Sequence, residues 1–405
     1  MSITTQVLLS AFVITFVMGA VAVKTNFCTM GAVSDVVNMG DTGRLRAWFF
    51  AIAVAIAGVL GLQWAGVIDM SLTASNETAI PPYRTAMFAW PRYVLGGLLF
   101  GIGMTIGSGC GNKNLLRVGG GNVKSLFTLL AMGVGAYLML FTNFGYNVFL
   151  RWMQPLFVDF SALEVSHQGL PALAARLTGL DEATLEYGLG GAMALGLAAW
   201  AFRSTDFRGR LDNILGGFTV GAAVVAAWFV TAGPWGQQWM EEVEFLDEQP
   251  IAVGAQALTF VQPSGQFLHW AESGFAATLV SFAMLAALGA VTGAFVYSLL
   301  TRAFRLEWFA SARDFVNHVA GGFLMGIGGV LGMGCTIGQG VSGASTLALG
   351  SFLTLGAIVL GSALTMKFQY YRLVYEAEAS VPKALAASLA DLRLWPQGLR
   401  QLERV

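Results

Sequence analysis

The sequence predicts an all-α, polytopic membrane protein, with about nine transmembrane helices, short broken helices and two inverted pseudo-symmetric repeats. Three observations predict it. Of 405 residues, 56% are hydrophobic and 11% charged, against about 25% charged in a soluble domain; mean hydropathy is +0.66. Several apolar runs reach the ~20 residues that a helix needs to cross a bilayer. Finally, GIGMTIGSGC over 101–110 returns as GIGGVLGMGC over 326–335, identical at six of ten positions, at a constant offset of 225 residues. Both copies follow a glycine pair, Gly96-Gly97 and Gly321-Gly322, at the same distance.

The elements follow in order. The first apolar run covers about 5–27 and ends in Lys24-Thr-Asn-Phe-Cys28. It starts without a basic leader or a small-residue cleavage site, so it is expected to be retained. A second run covers about 47–68, and a loop with Asp69, Glu77 and Pro81-Pro82 follows over 69–91. The third run, about 92–111, carries the first motif copy, and the fourth spans about 125–150. Residues 151–187 are less apolar and read as an interfacial loop with a short amphipathic helix. The fifth run is about 186–202 and the sixth about 211–232; an acidic stretch, Glu241 to Glu248, opens a second long loop over 233–272. Both long loops are expected to be extracytoplasmic caps. The seventh, eighth and ninth runs cover about 273–300, 317–335 and 344–367, and a polar tail over 368–405 suits an amphipathic surface helix.

Basic residues cluster at 44–46, 113–124, 203–210, 302–313 and 367–372. Basic loops face the cytoplasm, and nine crossings with an extracytoplasmic N-terminus and a cytoplasmic C-terminus satisfy every cluster. The protein is therefore expected in the inner membrane. A net charge of −1 gives no footprint for nucleic acid. Three cysteines over 307 residues, without a CxxC, make neither a disulfide framework nor a zinc site, and three histidines give no metal cluster.

Two weaker copies of the motif complete a pattern. Gly19 lies nine residues before Cys28, as Gly101 lies before Cys110 and Gly326 before Cys335. In the sixth run Gly221 follows Gly216-Gly217, and nine residues on stands Val230. Runs one, three, six and eight then read as one unit with Cys, Cys, Val and Cys at the key position. The chain divides into a first repeat of four helices over 1–150, a loop and linking helix over 151–204, a second repeat over 205–370 and a tail over 371–405. Inverted repeats place a substrate path at their interface, along interrupted helices. Glycines after the cysteines, Gly31, Gly111, Gly338, Gly340 and Gly343, fit such breaks.

The membrane segments hold few ionisable groups; Lys24, Asp35 and Lys113 are the nearest charges to the cysteines. What the path offers is thiols, amides at helix breaks, and Thr or Asn side chains. Helix N-termini and backbone nests attract anions, and thiols are weak donors and polarisable contacts. Together they suit a small, soft anion with sulfur at one end. Lys24, one turn before Cys28, is placed to attract an anion or to snorkel to the interface. Lys113 serves the same attraction or marks the cytoplasmic edge. Asn112 and Gln339 line the path or satisfy broken backbone. His318, which corresponds to Tyr93, reads as a helix-end histidine, and Asp314 beside Arg313 as a solvated pair.

Cys28-Thr29-Met-Gly31, Gly109-Cys110-Gly111 and Gly-Met-Gly334-Cys335-Thr336-Ile-Gly338 resemble the YeeE/YedE family of sulfur-transport membrane proteins, over most of 10–368. The resemblance implies thiosulfate uptake through an inverted-repeat fold, the ion passing between three cysteines. Cys28, Cys110 and Cys335 would be the relay, and Val230 the fourth symmetry position, without a thiol. The candidate substrate-binding set is Cys28, Cys110 and Cys335 with Thr29, Gly31, Gly109, Asn112, Lys113, Gly334, Thr336, Gly338 and Gln339. No cofactor, metal or catalytic residue is expected. The family also includes members assigned to other sulfur or selenium compounds, and a separate TusA-like carrier is the implied partner. The rival readings are a membrane thiol sulfurtransferase or persulfide carrier, which requires thiolates, and an assembly subunit whose cysteines only pack.

Overall fold

The computed structural model describes residues 1–405 apart from 247, 376, 377, 401 and 403–405, and apart from the side chain of 399. The protein is an all-α polytopic bundle. Among the described residues nine helical stretches are long and apolar enough to cross a membrane. In chain order the helices are α1 (Ile3–Lys24), α2 (Thr29–Ser34), α3 (Gly43–Trp64), α4 (Trp90–Ile106), α5 (Gly111–Gly119) and α6 (Val123–Phe141). There follow α7 (Arg151–Met153), α8 (Leu170–Thr178), α9 (Glu182–Phe202), α10 (Thr205–Gly209), α11 (Leu211–Ala232) and α12 (Pro234–Glu244). The last five are α13 (Gln262–Glu272), α14 (Phe282–Leu300), α15 (Ala312–Leu331), α16 (Leu349–Val374) and α17 (Val381–Asp391). A two-residue antiparallel ladder pairs β1 (Met87–Phe88) with the distant β2 (Val158–Asp159).

Lipid is as apolar as a leucine side chain, so membrane helices associate through close van der Waals packing that small residues permit. Glycine supplies it at the crossing of α4 and α15. A Cβ on Gly96 would lie 2.3 Å from the Gly332 nitrogen, and one on Gly321 only 2.4 Å from the Gly107 nitrogen. Residue 96 thus meets 332 and residue 107 meets 321, so the two helices run antiparallel.

The other contacts come in matched pairs. Helix α4 lies parallel to α16, Gly97 against Thr354, Gly101 against Ile358, and the Thr105 and Ser362 hydroxyls 2.8 Å apart. Helix α15 lies parallel to α6 in the same way, Gly322 on Thr128 and Gly326 on Met132. Likewise α1 is parallel to α14, Gly289 on Phe12 and Gly293 on Phe16, and α11 to α3, Gly217 on Ala47 and Gly221 on Ala51. Helix α11 in turn runs against α1: Gly216 touches Thr25, while Phe229 shares a groove with Leu9 and Val13. The outward faces carry exposed Leu9, Val13 and Val17 on α1, Leu126, Leu130 and Val134 on α6, and Leu288 and Leu299 on α14, as lipid contact requires.

The basic clusters meet at one end of the bundle. Arg210 reaches Asp41 at 3.6 Å and Asp206 at 3.1 Å, Arg46 bonds the Trp200 carbonyl, and Lys124 pairs with Asp314 at 2.9 Å. Asp314 is therefore not a solvated partner of Arg313; its carboxylate also lies 3.0 Å from His318, which is buried. The tail closes on this end: α17 buries Ala384 and Ala387 near Tyr371, and Asp391 accepts from Arg400 at 2.8 Å and from the Tyr371 hydroxyl at 3.0 Å.

At the opposite end the long loops do more than cap. The amide of Ile80 donates to Ala255 (3.1 Å) and that of Ala255 to Thr78 (2.7 Å), joining 69–89 to the second loop. Residues 254–261 are then buried throughout and enter the bundle. Arg84 is buried as well, donating to the Thr73 hydroxyl at 2.8 Å and facing Glu186 at 3.4 Å.

Candidate functional site

Each cysteine begins a helix inside the bundle. Helices α1, α4 and α15 stop at Lys24, Ile106 and Leu331, and three linking residues separate each stop from a cysteine. The residue two before each cysteine, Asn26, Ser108 or Met333, takes the left-handed conformation, with φ of 51°, 58° and 57°. Non-glycine residues seldom adopt it, and here the same turn occurs three times. The carbonyl of each cysteine then accepts the first bond of a new helix, from Ala32 (3.0 Å), Asn114 (3.0 Å) and Gln339 (2.8 Å). The breaks therefore precede the cysteines; Gly31, Gly111, Gly338, Gly340 and Gly343 lie in the helical turns that follow.

Two of the three sulfurs are capped by a backbone amide. The amide of Gly31 donates to Cys28 Sγ at 3.3 Å and that of Gly338 to Cys335 Sγ at 3.4 Å. Cys110 makes no such cap bond, although the Lys113 amide lies near its sulfur. An unwound segment inside a membrane is tolerated where its backbone is satisfied within protein, and two amides at the fourth residue after a cysteine do this. Asn114 Nδ2 donates to the Gly109 carbonyl at 2.9 Å, and Gln339 Nε2 to the Gly332 carbonyl at 2.7 Å. Gln339 thus supports broken backbone, and Asn114 rather than Asn112 performs that task in the other copy. Asn112 is buried and its Oδ1 has no hydrogen-bond partner.

The three thiols stand in series. Cys28 and Cys110 face each other side chain to side chain, and the hydroxyl of Thr336, the residue after Cys335, faces Cys110. All three are buried, at 5%, 1% and 0% exposure. Thr336 Oγ1 makes no hydrogen bond of normal geometry. Around Cys335 gather Thr259, whose hydroxyl faces the sulfur, the Phe260 amide, and Tyr83, whose buried hydroxyl is also unpartnered. Tyr83 comes from the 69–91 loop, and Thr259 and Phe260 from the 233–272 loop.

Of the remaining predicted residues, Thr29 and Gly31 open α2, Gly31 against the Arg44 guanidinium. That guanidinium forks onto buried Asp35. Gly109 and Gly334 occupy the links. Lys113 bonds Asn26 Oδ1 across the first two breaks and stands near both Cys28 and Cys110. Lys24 is exposed. Val230 lies inside uninterrupted α11; in this fourth copy the helix ends at Ala232 and Gly233 caps α12, so the break has no three-residue link.

Cavities flank the series. At the basic end a cavity of about 480 Å³ is lined by Ser108, Lys113, Arg117, Lys124, Arg305 and His318, among others. At the loop end one of about 190 Å³ reaches Gly334, next to Cys335, and Thr259.

A family model described as "Sulphur transport" matches residues 24–364. The chain is similar to a "Thiosulfate transporter TsuA" of Escherichia coli (strain K12), 28% identical over 130 residues, covering 31% of this chain and 33% of that protein. It is also similar to a "Thiosulfate transporter TsuA" of Spirochaeta thermophila, 27% identical over 159 residues, covering 38% of this chain and 43% of that protein.

Proposed function

The chain belongs to the sulphur-transport (YeeE/YedE) family of membrane transporters of sulfur compounds, and from that premise we propose that it imports thiosulfate, or a closely related sulfur-containing anion, by relay between its thiols. The ion enters at the loop end, passes Cys335, Cys110 and Cys28 in turn, and leaves at the basic end. The observation that carries this reading is the series of three buried thiols, each at the start of a helix, between two cavities. Each thiol donates weakly to the soft terminal sulfur of an intact ion, so no bond forms or breaks in the ion and no cofactor enters. A site that holds its ion loosely lets it leave. The amides that open each new helix face the anion from the favourable end of its dipole. The loop end is taken as extracytoplasmic and the basic end as cytoplasmic, on the distribution of Lys and Arg.

We further read 1–150 and 205–370 as inverted repeats. The matched helix pairs, and the opposed directions of α4 against α15 and of α1 against α11, support it.

The test is uptake of labelled thiosulfate by purified protein in vesicles. Wild type is expected to accumulate the label, and intact mass of the protein afterwards is expected to be unchanged. No accumulation overturns the transport reading; a persistent sulfur adduct on a cysteine overturns the non-covalent relay. Lys113→Gln is expected to lower initial uptake about tenfold, the worth of one charge-assisted contact, and Lys113→Arg to restore most of it.

A further inference from the structure

Arg92 is the one charged residue lining the loop-end cavity. It stands in the first turn of α4, where the helix dipole disfavours a cation. It is held instead by the far end of α15: Nε donates to the Leu331 carbonyl at 3.1 Å and Nη2 to the Val330 carbonyl at 3.5 Å. A guanidinium has five N–H donors, so three are left over, and no carboxylate among the described residues pairs with it. The rest of the wall is largely apolar, including Ile80, Pro81, Leu140 and Met333, with Thr259 and Gln262 as its polar side chains. An unneutralised cation on a small apolar-walled cavity draws in an anion, and a planar fork of donors matches the oxygens of a tetrahedral oxyanion.

We propose that Arg92, with Thr259 and Gln262, forms an admission site that recognises the oxyanion end of the substrate. The inference rests on the transport reading above and divides its selectivity in two. Arg92 reads charge and oxygen, which thiosulfate and sulfate share; the thiols beyond it read the terminal sulfur, which sulfate lacks. Sulfate therefore occupies the entrance and blocks it without being carried.

Initial rates of thiosulfate uptake into vesicles, with and without sulfate, test this in wild type, Arg92→Gln and Arg92→Lys. In wild type sulfate is expected to compete, raising the apparent KM alone, and labelled sulfate is expected not to accumulate. Arg92→Gln should raise KM roughly tenfold or more with Vmax little changed, the signature of lost binding common to ground and transition states, and should lose the sulfate effect. Arg92→Lys should keep the sulfate effect with a smaller rise in KM. A KM unchanged in Arg92→Gln, or a fall in Vmax alone, overturns the proposal and leaves Arg92 a brace on α15. If Arg92→Gln fails to reach the membrane, the wild-type competition decides: no competition by sulfate overturns the proposal. An inactive wild type instead removes the transport reading on which it rests.

Discussion

Cys110→Ala is expected to reduce thiosulfate uptake to background while leaving the amount of folded protein in the membrane unchanged. Cys110 is the middle thiol of the proposed relay: Cys28 faces it, and so does Thr336, the residue after Cys335. Removing it breaks both transfers at once. One hydrogen bond to a charged group is worth about 1.5–3 kcal/mol, which alone slows a transfer by about 10- to 150-fold; without the middle stop the ion must also cross from Cys335 to Cys28 in one unassisted step, and uptake falls to background. The fold tolerates the change because the backbone at 110 is extended, with φ −72° and ψ 169°, and Asn114 continues to satisfy the Gly109 carbonyl. Cys28→Ala and Cys335→Ala each break one transfer and should retain traces of activity. Cys110→Ser separates donor geometry from softness: a hydroxyl that restores full uptake would show that any small donor suffices. Full activity in the triple alanine variant would mean that the cysteines only pack.

Gly321→Val should prevent accumulation of folded protein altogether. A Cβ at 321 falls 2.4 Å from the Gly107 nitrogen and 2.7 Å from the Gly103 carbonyl oxygen. Both are backbone atoms, of α4 and of the link that follows it, and cannot turn aside as a side chain would. Overpacking a core costs about 1–3 kcal/mol where side chains yield, and more where helices must separate. Since a whole domain is stable by only about 5–15 kcal/mol, the crossing and the two breaks beside it are lost together. Gly356→Val in α16, with nothing within 4 Å of its added carbon, is the matched control and should express normally. A single symmetrical peak in size-exclusion chromatography for Gly321→Val would refute the argument.

Much of this was legible in the residues. The nine apolar stretches, the basic clusters and the 225-residue repeat required only composition and spacing. The cysteine-centred set came from motif and resemblance, and the geometry brings its three thiols together. The breaks were displaced because glycine was read as the point of interruption; the chain turns instead at Asn26, Ser108 and Met333, which no composition rule singles out. A signal for the supporting amides existed, since Asn114 and Gln339 both stand four residues after a cysteine. Tyr83, Thr259, Phe260 and Arg92 were not foreseen. They reach the site from loops, or from a helix end, whose sequences have no period, and only tertiary pairing such as Ala79 with Ala255 carries them inward. Val230 was read by counting from a glycine, whereas α11 continues past it.

The glycine crossing of α4 and α15 also has a mechanical consequence. Backbone rests directly on backbone from residue 96 against 332 to residue 107 against 321, and such a joint has no slack. A transporter that rocks one half past the other needs a sliding surface there, and this seam offers none. On the proposed relay, movement of cargo is then left to rotations of individual thiols and hydroxyls within a rigid frame. Stapling α4 to α15 chemically should then leave turnover intact.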